Sequence, residues 1–382
     1  MSVQILHRGF DGLKFTVQAE IPLTLRAELA AAREFAKKIG QDCYTQFGET
    51  VLFVSPSRGR NFLARTGETG AIWLFQDPLD RIAFNPAITV DFRAFGLATG
   101  GLDHAEQHFR EVMEALEIPY GEHQLRVTRT DFAVDFLAPW FEPDRCCLIA
   151  PPGTSTTEDT GVDETTTEAR GARVTGLRAG KIANRQLAIY DKRLEVMQKA
   201  KHGWLTIWNA ERARCGEDPL DLTDQSTSQV WRFELRLGSK QLRNKFEIHS
   251  WADVRAKLGD AFRDAVQRMR YTIPTHDSNR ARWPTHELWQ TFAETVTTDL
   301  TEHRSGVSPS DVVLANRTAK MRELDRQILG LFFTRAAISE VGENEFFDFM
   351  DRHTATLRDM SEEHPKTVGE RLQKAAGKYC WV

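Results

Sequence analysis

The chain has 382 residues, of which 41% are hydrophobic and 27% charged, with a formal net charge of −4. That length suits two domains or one large domain with an appendage, and the charge balance excludes a globally basic nucleic-acid binder, so any basic surface is local. Five cysteines without a Cys-x-x-Cys pair argue against a disulfide scaffold, and no apolar run reaches membrane-spanning length. With no signal-peptide core at the N-terminus, the expectation is a cytoplasmic protein with no membrane partner.

In chain order, alternation over residues 13–21 predicts a first strand. Thr24 is placed to cap a helix that carries Leu25, Leu29, Ala32, Phe35 and Ile39 on one side and is closed by Gly40. Short apolar runs at 50–54, 61–64, 71–75 and 87–92, separated by turn residues, read as an antiparallel meander. Asp103 and Glu106 have capping-box spacing and precede a helical stripe of Phe109, Val112, Met113 and Leu116. His104 and His108 lie four apart on that helix. Without the glutamate of a His-Glu-x-x-His motif they read as solvent-facing rather than as metal ligands.

Residues 126–136 hold the densest chemistry. As a strand, the stretch places Arg129, Asp131 and Asp135 on one face, with Phe132, Val134 and Phe136 opposite. Two later strands repeat the arrangement. Tyr190 shares a face with Lys192, and Arg232, Glu234 and Arg236 share a face opposite Trp231, Phe233, Leu235 and Leu237. Side by side, the three make a sheet with one apolar and one charged face. The charged face has two readings: an oxygen-rich Mg²⁺ or Mn²⁺ site built from Asp131, Asp135 and Glu234, or a lattice of salt bridges to Arg129, Arg232 and Arg236.

Between these strands the texture changes twice. Residues 151–169 are rich in Ser, Thr and acidic side chains and read as an acidic mobile loop. The segment 170–201 is then basic and interrupted by Gly171, Gly176 and Gly180. Within it, 170–193 is expected to form two strands joined near Gly180 and laid against 126–136, with Arg178, Lys181, Arg185 and Lys192 facing phosphate. Trp204 and Trp208, four apart, read as core. From 246 to 382 the pattern is helical: Trp251, Val254, Leu258, Phe262 and Val266 form one stripe. Ser308-Pro309 opens a helix whose continuation is lined by Met321, Leu324, Ile328 and Leu331. The fold class is thus α+β over 1–245, with helices on a mainly antiparallel sheet, followed by a helical region over 246–382.

No phosphate-binding Gly-x-x-x-x-Gly-Lys loop, dinucleotide fingerprint or Gly-x-Ser-x-Gly elbow is present. What the chain does contain, in order, is Arg129-x-Asp-Phe-Ala-Val-Asp-Phe136, a Gly-rich basic run into Arg185-Gln-x-x-Ile-Tyr-Asp-Lys192, and Trp231-Arg-Phe-Glu-Leu-Arg236. With the opening Phe10-Asp-Gly-Leu-Lys-Phe15, this series resembles the replication initiation factor family: rolling-circle initiators of plasmids and filamentous phages, and relaxases of some conjugative elements. The resemblance covers roughly 10–245. It implies an origin-binding protein that nicks and rejoins DNA with a metal-bound acidic cluster (Asp131, Asp135, Glu234) and a nucleophilic tyrosine. Arg129, Arg185, Lys192, Arg232 and Arg236 would then contact DNA, single-stranded or in an origin hairpin, and replication or conjugation factors would be further partners. The window 172–181, where the family's tyrosine is expected, holds none; Thr175 occupies it and Tyr190 is the nearby tyrosine. Two other readings stand beside the first: a nuclease-inactive relative that binds an origin and recruits factors, and an unrelated α+β protein that binds a small acidic ligand.

Overall fold

The computed structural model describes residues 3–56, 61–76, 87–152, 154–159, 173–298 and 300–376. The architecture is α+β, as the sequence predicts. In chain order the N-terminal half contributes β1 (Gln4–Val17), α1 (Leu23–Ile39), β2 (Cys43–Phe47), β3 (Thr50–Val54), β4 (Asn61–Arg65), β5 (Ala71–Gln76), β6 (Ile88–Phe92) and α2 (Ala94–Ala115). There follow β7 (Leu125–Leu137), β8 (Leu148–Ile149), β9 (Thr156–Asp159), β10 (Gly176–Lys181), β11 (Arg185–Asp191), α3 (Lys192–Gln198), α4 (Gly203–Arg214), α5 (Gln225–Ser228), β12 (Val230–Gly238) and α6 (Ser239–Leu242). The remainder is α7 (Trp251–Arg268), β13 (Arg270–Tyr271), α8 (Glu287–Thr297), α9 (Pro309–Ile338), α10 (Phe346–Glu362) and α11 (Val368–Ala376). Among the described residues no helix is long and apolar enough to cross a membrane.

Eleven strands form one antiparallel sheet in the order β2-β3-β4-β5-β6-β1-β7-β12-β11-β10-β9. The long β1 joins the meander β2–β6 to the second half, pairing with β6 on one side and β7 on the other. The basic strand pair does not lie against β7 as expected, because β12 is inserted between β7 and β11. Part of the acidic stretch is also not loop. Residues 156–159 form the edge strand β9, with Glu158 opposite Leu177, while 160–168 fall outside the described residues.

The period-2 alternation of β7 and β12 sends Phe132, Val134, Phe136, Trp231, Phe233 and Leu235 to one side, where each is fully buried. Helices α7 and α8 cover that side. Phe262 packs edge-on against Phe10 and Phe132, and Phe292 lies against Phe233. Each such side chain contributes roughly 1.5–3 kcal/mol by burial. The first helices after residue 246 are thus part of the sheet's own core. Ser250 and Asp253 cap α7 reciprocally, and Ser308 accepts the Asp311 amide to start α9, with Pro309 at its first position.

Several local expectations differ: α1 begins at Leu23 after Pro22, so Thr24 lies inside the helix instead of capping it, and Phe35 is exposed. The helix at Asp103 starts earlier, at Ala94, and is broken at Gly101, whose φ of 66° favours glycine. His108 is not turned to solvent: it is half-buried, its Nε2 lies 2.7 Å from Thr66 Oγ1, and burial lowers its pKa to about 4. The Met321, Leu324, Ile328 and Leu331 row that lines α9 is exposed.

Candidate functional site

The charged face of the sheet lies on the side opposite α7. Register sets its layout: Arg232 stands across from Asp135, Arg236 across from Asp131, and both Glu234 and Asp131 flank Ala133. On the far side of β12, Tyr190 is opposite Arg232 and Gln186 opposite Arg236. Helix α4 lies over part of this face, and the residues divide into a sealed layer beneath it and an open cleft beside it.

In the sealed layer Arg232 and Asp135 are both fully buried. Arg232 Nε and Nη2 donate to the two Asp135 oxygens at 2.6 and 2.7 Å, and Nη1 donates to Asp11. Trp208 Nε1 adds a third donor to Asp135 at 2.8 Å, and the Arg232 guanidinium lies 4.1 Å from the Trp204 ring centre. Burial lowers the His7 pKa to about 4, so the neighbouring imidazole is neutral at pH 7. The tryptophans act as core, as their spacing suggests, but they also close off this ion pair.

The cleft, about 250 Å³, is lined by Asp11, Lys14, Arg129, Asp131, Tyr190, Lys192, Glu195, Lys201, Trp204, Glu234 and Arg236, with backbone from β1. Tyr190 donates its hydroxyl proton to Glu234 Oε2 at 2.9 Å, and Arg236 Nε donates to Oε1 at 2.6 Å. Arg129 grips Asp131 through two nitrogens, at 2.9 and 2.5 Å. Gly12 makes room for that carboxylate: a Cβ there would sit 2.7 Å from Asp131 Oδ2. Lys192 and Lys201 share Glu195, at 2.7 and 3.0 Å, and hold its carboxyl well below the usual range against the effect of burial.

Three titrations are displaced in ways that bear on chemistry. Burial, with the nearby Glu234 charge, raises Asp131 to about 7, although Arg129 opposes the shift. Burial and the same carboxylate push the Tyr190 phenol well above its ordinary value. Burial and Arg232 lower the Lys192 ammonium pKa.

The expected site residues are therefore only partly brought together. Asp131, Tyr190, Lys192, Glu234, Arg129 and Arg236 meet in the cleft. Asp135 and Arg232 do not, because each saturates the other beneath α4. Lys181 and Arg185 point away: their register partners place them with Leu187 and Ile189 on the α7 side, where Arg185 lies 3.7 Å from Asp264. Arg178 is on the cleft side and exposed. The three-carboxylate set does not fit a Mg²⁺ or Mn²⁺ centre. Both Asp135 oxygens are already taken by Arg232 and Trp208, and each of the other two carboxylates faces an arginine. Among the described residues no group of three His, Cys, Asp or Glu side chains is arranged to hold a metal. Asp11, Lys14, Glu195 and Lys201 were not singled out from sequence; for Asp11 and Lys14 the signal lay in the Phe10–Phe15 stretch.

The fold and site together define an α+β protein with a cleft of mixed charge, lined by five cations and five carboxylates, on one face of an antiparallel sheet. No family model and no curated protein matches the chain. Among solved structures it is similar to a rolling circle replication initiator protein from Geobacillus stearothermophilus, at 14% identity over 78% of this chain and 99% of that one, with a TM-score of 0.39. A likeness of that size assigns no function.

Proposed function

We propose that the cleft binds the phosphate backbone of single-stranded DNA and that the protein acts at a replication origin, nicking and rejoining one strand through Tyr190. One observation carries this reading: residues from motifs far apart in sequence, Asp131, Tyr190, Lys192, Glu234 and Arg236, line the same cleft. Those are motifs through which the chain resembles rolling-circle initiators.

The cleft suits phosphoryl transfer by proton position. Tyr190 Oη attacks phosphorus while its proton passes to Glu234 Oε2, the oxygen it already touches. The bond from phosphorus to the departing sugar oxygen breaks, and that oxygen takes a proton from Asp131, which titrates at about 7 and is protonated in part of the molecules there. Arg129, Arg236 and Lys192 surround the charge that builds on the phosphoryl oxygens. Rejoining reverses each transfer. The phenol's raised pKa means that attack requires the proton to leave as the bond forms, not beforehand. That same property favours a second reading, in which the cleft binds DNA without cutting it.

Labelled single-stranded DNA incubated with the protein, with Mn²⁺ and with chelator, distinguishes the two. An adduct that survives denaturation and disappears in Tyr190→Phe supports transfer. Salt-sensitive binding without an adduct leaves the binding-only reading, and no binding removes both.

A further inference from the structure

Helix α9 carries an apolar row that the other described residues leave uncovered. Assigned as a heptad, positions a are Leu314, Met321, Ile328 and Arg335, and positions d are Arg317, Leu324, Leu331 and Ile338. The six apolar residues of this row are 37% to 80% exposed. The residues that fix α9 to the body lie elsewhere on the helix: Val312 and Ala319 at f and Asn316 at c, all buried. Asn316 accepts the Gly203 amide at 2.7 Å and donates to Glu68 at 2.8 Å. Since c and f lie opposite a and d, docking to the body turns the row outward. The α10 hairpin does not cover it either, because its ring contacts reach α9 through Phe332 and Phe333 at e and f.

We infer that this row is a parallel coiled-coil seam and that its occupant is α9 of a second copy of the chain. The seam spans roughly 36 Å at 1.5 Å per residue. Its centre has β-branched Ile328 at a between Leu324 and Leu331 at d, a pattern that favours two parallel strands. One flanking pair agrees with self-pairing, whereas Arg317 at d and Arg335 at a face their own copies towards the two ends of the seam. Lys320 at g and Asp325 at e are five residues apart, the spacing at which g of one helix meets e of its parallel partner. Within its own helix Lys320 already bonds Glu323 at 2.8 Å, and the seam leaves that contact in place. A parallel two-fold pair puts both clefts at the same end of the coiled coil.

The test is the mass of the full chain in solution by light scattering, wild type against the double variant Ile328→Lys with Leu331→Lys. The seam predicts twice the chain mass for wild type and a single-chain mass for the variant, with unchanged helicity because both positions are exposed. A monomeric wild type, or a variant that stays dimeric, overturns the inference. Direction is read separately by oxidation. Leu331→Cys crosslinks to a dimer, whereas Arg326→Cys, at f, behaves like the protein without an added cysteine. Equal crosslinking at both positions rejects the seam even if a substitution upsets folding. Reversal at Lys320→Glu weakens the dimer and Asp325→Lys in the same chain restores it; failure of that rescue rejects the parallel register.

Discussion

Glu234 stands between Tyr190 and Arg236, accepting the phenol on one carboxylate oxygen at 2.9 Å and the guanidinium on the other at 2.6 Å. The arginine fixes the orientation of the carboxylate, and the carboxylate fixes the phenol. A group so placed takes a proton without moving, which is what gives an otherwise salt-bridged face a direction for chemistry.

Glu234→Gln tests that relationship. The neutral amide removes the charge that, after burial, raises the phenol, so the Tyr190 phenol should titrate at lower pH. An ultraviolet difference titration against Tyr190→Phe reads this directly. Adduct formation should fall by about 100-fold or more, the usual scale for losing a general base. An unshifted phenol titration would place Glu234 elsewhere.

Asp135 is expected to matter for folding and not for metal. Asp135→Asn leaves the Arg232 charge buried with half its partners, a change that costs about 3–5 kcal/mol. Urea denaturation measures it. A midpoint within error of wild type would mean that the pair is dispensable and would reopen a ligand role for this carboxylate.

Asp131 should make stability fall with rising pH. Its folded pKa, about 7, lies above the ordinary 3.8, so the native state holds the proton more tightly than the unfolded chain. The contribution is fully present below the ordinary value and is lost progressively as pH rises towards about 7. Asp131→Asn should remove that decline, at most about 4 kcal/mol across the window. Thermal melts at matched ionic strength, wild type against variant, show whether the slopes differ.

Two neighbouring cations should behave differently towards DNA. Arg178 is on the cleft side of β10 and Lys181 on the α7 side. Arg178→Ala is expected to reduce the salt dependence of single-strand binding by about 0.7 in the log–log slope, and Lys181→Ala to leave it unchanged. Equal effects would mean that the DNA path does not follow the cleft face.

Removing residues 154–159 should destabilise the protein. β9 pairs with β10 over four positions, and Ser155 accepts the Gly180 amide at 2.9 Å. Losing these contacts costs about 1–3 kcal/mol at typical cross-strand values. A melting temperature equal to wild type would return the whole segment to the status of a loop.

What the sequence made legible follows from periodicity. Alternation at 126–136 and 230–237 is strict, and a one-residue slip would bury carboxylates in the apolar layer, so the two faces were readable without coordinates. Strand order was not, because nothing local says that β12 enters between β7 and β11. That gap misplaced Lys181 and Arg185: charge content locates a basic segment but not the side of the sheet each residue takes. Asp135 was misread for a related reason. Its alternation matches that of Asp131, and only α4, folding over one end of the strand, turns one carboxylate into a sealed ion pair and leaves the other in the cleft. The row on α9 shows the same limit from the other direction, since an apolar stripe says that something covers it and not whether the cover belongs to the same chain.

The insertion of β12 between β7 and β11 also sets a timetable for folding. The meander β2–β6 joins neighbours in sequence, whereas the cleft needs β12 to pair with a strand about a hundred positions upstream, the kind of long-range closure that slows folding. A chain emerging from the ribosome therefore completes its hairpins well before it has a cleft, and any chain truncated ahead of residue 230 carries Asp131 and Tyr190 without the strand that brings them together. Pulsed hydrogen exchange during refolding should find amides of β3–β5 protected before those of β11 and β12; simultaneous protection would mean that the sheet closes in one step. In the ordered case, the cleft exists only in molecules that have finished folding.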